Sequence, residues 1–138
     1  MALQAAYAAT PVIGSAELTT ADTTTRGTPT TVGTVITGGA SGTRLSKIII
    51  QGAGTTIAGL IRLWLYDGTN YRMIKEVAVP AKTVSSTSPD LPQTILSEST
   101  NIDLLPITLP SASWSLRATV TTTQTGSGVN VIAIGANL

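Results

Sequence analysis

The chain has 138 residues, eight basic and seven acidic side chains, a net charge of +1, and no histidine, cysteine or phenylalanine. Histidine is the side chain whose pKa lies nearest neutrality, and cysteine is the strongest natural nucleophile and a soft metal ligand. Without them most acid–base, triad and zinc chemistry is closed to the protein. The basic residues never form a run, so there is no electrostatic footprint for nucleic acid, and the apolar runs Ile48–Ile50 and Leu63–Leu65 are far short of the roughly 20 residues of a membrane-crossing helix.

This length suits one domain, which at this size buries about two-thirds of its unfolded surface without needing disulfides or metals. Charged residues make up 11% of the chain, against roughly 25% in ordinary soluble proteins. With 25 threonines, the surface must be covered largely by hydroxyl and amide groups. Such a surface is poorly protected against self-association, so much of it is expected to lie against partners in the working state.

The N-terminus carries Ala6-Tyr-Ala8, which imitates a signal-peptidase site. It has no basic n-region and too short an apolar segment before it, so the segment is expected to stay with the working protein. Residues 1–43 are rich in Thr, Gly and Ala and poor in large apolar groups. They predict an extended N-terminal arm, with one short strand near Val32–Thr37, either a flexible loop or an arm that orders on a neighbouring subunit. The domain proper is expected over 44–138.

From there strand signals recur. Arg44–Gln51 is β-branched and ends at a Gly52-Ala-Gly54 turn. Ala58–Tyr66 alternates Ile61, Leu63 and Leu65 with Arg62, Trp64 and Tyr66, the period of two of a half-buried strand. Asp67-Gly68-Thr69-Asn70 is a hairpin signal, and Tyr71–Val79 is its returning strand. In that strand Met73, Val77 and Val79 share one face while Ile74 lies on the other. Either a bulge shifts the phase or both faces are covered.

A Ser/Thr/Pro-rich loop over Ala81–Pro92 leads to strand candidates at Thr94–Glu98 and Asn101–Leu109, the second unsuited to a central position at its prolines. Ser113–Thr123 alternates Trp114, Leu116, Ala118 and Val120 with polar residues, and Thr125–Gly128 turns the chain into Val129–Gly135. About eight strands and short turns predict an all-β fold, an antiparallel eight-stranded β-sandwich that is jelly-roll-like. An immunoglobulin-like sandwich comes second because its Cys–Trp–Cys spacing is absent.

Chemistry-bearing residues are sparse. Glu98 and Asp103 lie close in sequence, but their spacing is ordinary and solvated or turn-capping roles account for them; Asp67 belongs to its turn. Gly38–Gly42 and Gly126–Gly128 lack the Gly-Lys-Ser/Thr of a phosphate loop and read as turns. No catalytic, cofactor-binding or metal-binding residue is expected. Two tryptophans and three tyrosines are few for sugar or base stacking, so Trp64 and Trp114 are expected in core packing or a subunit interface, and Leu60, Trp64, Tyr66, Tyr71, Met73 and Trp114 are taken as candidate interface residues.

Over 43–138 the chain resembles a family of small proteins encoded near capsid genes in tailed bacteriophages. The residues concerned are Gly42–Ile50, Ala58–Asn70, Lys75–Val79, Trp114–Thr119 and Val129–Gly135. The resemblance implies a capsid cement, or decoration, protein, a non-enzymatic jelly-roll-like module on the exterior of an icosahedral head. Its partner would be the major capsid protein, and it would be made in the host cytoplasm. The near-neutral surface and the apolar hairpin Leu60–Val79 predict a homodimer on the capsid, with a trimer as the alternative. The rival from another class is a carbohydrate- or cell-surface-binding β-module of a tail fibre.

Overall fold

Alternating β-branched segments joined by Gly- and Pro-marked turns leave the backbone no partner but neighbouring strands, and nine strands form. The computed structural model describes residues 10–24, 27–85, 87 and 91–138. The strands are β1 (Thr10–Leu18), β2 (Gly33–Thr37), β3 (Thr43–Gly52), β4 (Gly59–Tyr66), β5 (Tyr71–Val79), β6 (Gln93–Ser97), β7 (Ile107–Leu109), β8 (Ser115–Val120) and β9 (Val129–Asn137). Sheet A runs β1-β9-β3-β6, with β7 also paired to β3, and sheet B runs β2-β8-β4-β5. Every pairing between named strands is antiparallel.

The fold is therefore an antiparallel β-sandwich with nine strands rather than eight. Set aside the three-residue β7, and the other eight divide between two four-stranded sheets in a jelly-roll-like order. The strand expected over Asn101–Leu109 shrinks to β7 because Asn101 starts a turn instead. Its carbonyl accepts from the backbone N–H groups of Leu104 and Leu105, and its side chain accepts from that of Ser97.

Inward-facing residues of the two sheets interleave. Leu45, Ile48, Ile50, Val129, Val131 and Ala133 come from sheet A, and Ile61, Leu63, Leu116, Ala118 and Val120 from sheet B. Each is 2% exposed or less. Fully burying one such Ile, Leu or Val is worth about 1.5–3 kcal/mol, so this layer is the main source of stability.

The expected boundary at residue 43 does not separate an arm from a domain. Residues 10–18 form β1, paired along its whole length with β9, and Leu18, Val35 and Ile36 enter the core. Small side chains in this stretch are a packing requirement. A Cβ on Gly14 would lie 2.2 Å from the Val35 carbonyl oxygen, so only glycine lets β1 approach β2 there. The remainder of the expected arm, residues 1–9, lies outside the described residues.

The phase conflict in β5 resolves as a bulge. Leu63 pairs with Lys75 and Trp64 with Met73, so Ile74 is the extra residue. It turns toward the core, while Met73 goes to the outer face at 36% exposure. The hairpin loop is four residues long, with Gly68 at φ 97°. Asp67 Oδ1 accepts from the backbone N–H groups of Asn70 and Thr69, which hold its carboxyl below the ordinary carboxylate range.

The segment from β1 to β2 is fixed by Asp22, a carboxylate only 3% exposed. Its Oδ1 accepts from Thr30 N, Thr30 Oγ1 and Thr31 N. Burial alone would push its pKa up, but these donors win and hold it below 3.8. A carboxyl with a lowered folded pKa contributes stability above its unfolded pKa and loses it as pH falls through the folded value. Asp22→Ala should therefore cost about 1–3 kcal/mol in a denaturant melt at pH 7, and less than half of that near pH 2. An equal loss at both pH values would contradict the assignment.

Candidate functional site

Residues that alternate with the core face outward, so the sandwich presents one outer face per sheet. On sheet B that face gathers Leu60, Arg62, Trp64 and Tyr66 of β4, Tyr71 and Met73 of β5, and Arg117 and Thr119 of β8. Five of the six candidate interface residues thus share one surface. The sixth, Trp114, precedes β8 and packs half-buried against the core.

The middle of this face is covered. Trp64 is 2% exposed, and its Nε1–H donates to Thr119 Oγ1 at 3.1 Å. Arg62, also buried, donates to the Thr24 carbonyl at 3.3 Å and lies 3.7 Å from Glu76. The segment leading from β1 to β2 therefore reaches this face. The sequence suggested a half-buried strand at β4, yet Arg62 and Trp64 are as enclosed as the core residues beside them.

At the hairpin end lies an aromatic–arginine cluster. The Arg117 guanidinium sits 4.1 Å from the Tyr66 ring centre and 5.7 Å from that of Tyr71. It donates to Tyr71 Oη at 2.8 Å and, through Nε, to Ser115 Oγ at 3.0 Å. Tyr66 and Tyr71 stack with centroids 4.4 Å apart, and Tyr71 meets Trp64 edge-on at 6.3 Å. Tyr66 already has a guanidinium over one face, and Trp64 is enclosed. The cluster is a patch held by directed hydrogen bonds and ring contacts, with one Tyr66 face already taken by the guanidinium.

The outer face of sheet A carries a feature the sequence reading missed. Cross-strand registers align Ser15, Ile132, Ile49 and Ile95 in one row and Ile13, Ile134, Lys47 and Ser97 in the next. Five isoleucines therefore form a band across four strands. Ile13 is 72% exposed and Ile95 47%, with Ile49, Ile132 and Ile134 half-buried between neighbours. The signal was available in Ile48-Ile49-Ile50, since three consecutive apolar residues on a strand must put one on the face away from the core. Beside the band, a shallow hollow of about 420 Å³ is lined by Ser46, Lys47, Ile95, Ser97, Glu98 and Ser99.

The two carboxylates singled out in sequence have ordinary places. Glu98 pairs with Arg44, and Asp103 is exposed in the turn before β7.

Arg117 holds the sheet B patch through two directed donors and a ring contact, a combination that lysine cannot reproduce. Arg117→Met should cost about 1–3 kcal/mol in a denaturant melt and reduce the near-ultraviolet circular dichroism of the tyrosines. Arg117→Lys should recover little of either. Full recovery by lysine would show that charge alone matters.

Compared with protein-family models, curated proteins and solved structures, the chain gave no match in any of the three searches.

Proposed function

We propose that this is a structural virion protein that binds the outer surface of a phage icosahedral head and bridges major capsid protein subunits. The observation that carries the reading is the pair of opposed contact faces on one rigid sandwich. Sheet A presents the isoleucine band, and sheet B presents Tyr66 and Tyr71 around a fixed arginine, with Met73 and Leu60 on the same face. A bridging protein must touch two bodies at once without deforming between them, and two sheets locked through a dry core meet that need. The low charge fits partners that supply area rather than a strong field. The resemblance over 43–138 supplies the identity of the shell.

In this reading the sheet B patch faces the shell. Repetition over a symmetric head lets each contact be modest, because linked copies re-form broken contacts locally. The protein should decorate heads of the phage that encodes it in cryo-electron micrographs. Met73→Glu, which adds a charge at the exposed part of the patch, should lower occupancy at least fivefold while shifting the melt by no more than about 0.5 kcal/mol. Bare heads at saturating wild-type protein would end the proposal.

A further inference from the structure

The isoleucine band on sheet A has a shape that fits its own copy. We infer that the outer face of sheet A is a self-complementary interface through which two copies of this chain pack face to face. This inference concerns the free protein and does not rest on the capsid reading.

Consider a two-fold axis lying between two such faces and parallel to the strands. Rotation about it leaves each cross-strand row facing itself, while exchanging β1 with β6 and β9 with β3. In the first row Ile132 then faces Ile49 of the second copy. In the next, Ile134 faces the aliphatic stem of Lys47, and Ile13 faces Ser97 beside Ile95. Ile13, the most exposed residue of the band at 72%, is thereby placed over the 420 Å³ hollow that Ser46, Lys47, Ile95 and Ser97 line. The same rotation puts the second copy's Ile13 over the first copy's hollow. Knob and hollow lie at opposite ends of the band, which is the arrangement an isologous contact requires. Sheets packed this way sit about 10 Å apart, with strands within roughly 30° of alignment.

Charge and area agree with a second copy as the occupant. Apart from the Arg44–Glu98 pair, the face carries Lys47 and Glu17, which cancel, so a strongly charged partner finds no counterpart there. The two Lys47 side chains come near each other at the axis, a repulsion that adds to the weakness expected of the contact. Four strands at about 4.8 Å spacing and seven residues at about 3.4 Å give roughly 450 Å² in projection, and more in accessible surface. Standard interfaces begin at about 600 Å² per partner, so the dimer should be weak and concentration-dependent.

Sedimentation equilibrium of the full chain between about 1 μM and 1 mM tests this. The expected result is a mass rising from 14.1 kDa toward twice that value. Ile13→Lys and Ile95→Glu should each weaken association roughly tenfold or more, since each faces a charge onto apolar surface. Mixed together, the two variants should associate at least as well as wild type, because the new lysine of one meets the new glutamate of the other. Met73→Glu, on sheet B, should leave association unchanged. A monomeric wild type throughout the range overturns the inference, as does a Met73→Glu variant that abolishes association. So does a dimer that forms only when residues 1–9 are deleted, which would show the chain covering its own band. If the dimer forms but heads stay bare, this inference survives and the capsid reading alone fails.

Discussion

Everything in sheet A depends on where β9 lies. It runs between β1 and β3, matched residue by residue to β1 from Leu18↔Val129 to Thr10↔Asn137, and to β3 from Gly52↔Val129 to Thr43↔Asn137 with one register shift at Ser46. Remove β9 and β1 loses its only sheet partner among the described residues, while the core loses Val129, Val131 and Ala133 together. The closing contacts are polar and local. Thr43 Oγ1 accepts from Gly39 N and donates to Asn137 Oδ1, and Leu138 N donates to the Gly42 carbonyl. Because first and last strands pair, sheet A cannot complete until the whole chain is available. Such non-local pairing is intrinsically slow to form.

How far the sequence revealed this architecture follows from which side chains each strand turns inward. The β4–β5 hairpin was legible because Ile61, Leu63, Val77 and Val79 are large and regularly spaced, and the expected range Tyr71–Val79 matches β5 to the residue. β1 was invisible because its inward positions are Val12, Gly14, Ala16 and Leu18, and a run of small residues reads as loosely held chain. Those residues are small because β1 and β2 crowd there: a Cβ on Gly33 would meet the Leu18 side chain at 2.8 Å. Composition cannot distinguish chain that has nothing to bury from chain that must bury itself closely. The interface reading met the same limit. Trp64, Tyr66 and Tyr71 drew notice because aromatics stand out in a chain with so few, and β4 and β5 place them with Leu60 and Met73 on one outer face. The isoleucines of sheet A did not stand out, since Ile13 fell in the stretch expected to be an arm and the inward and outward positions of β3 carry the same residue type.

Enclosure of Arg62 and Trp64 shows how the two faces come to differ. On sheet B the segment after β1 reaches over the strands and supplies the Thr24 carbonyl to the arginine, so the centre of that face is covered. On sheet A nothing comparable among the described residues lies over Ile13 or Ile95. The sandwich is thus asymmetric in chemistry although both sheets have the same construction. One side offers fixed, hydrogen-bonded aromatic groups, and the other offers plain apolar relief.

The bulge at Ile74 bears on how association ends. An exposed strand edge invites another chain to add on, and since each addition exposes a fresh edge, such growth leads to fibres. Here β1 and β2 crowd against each other at one side of the sandwich. At the other, β6 is only five residues long, and β5 is kinked by its bulge with Arg72 and Lys75 exposed along it. For a chain rich in β-branched residues and carrying a net charge of only +1, these edges are a safeguard. They leave the flat faces as the available routes of contact, and a contact about a two-fold axis is exhausted once two molecules have met. Short, kinked and charged edges thus work against the open-ended strand addition to which such a composition would otherwise be prone.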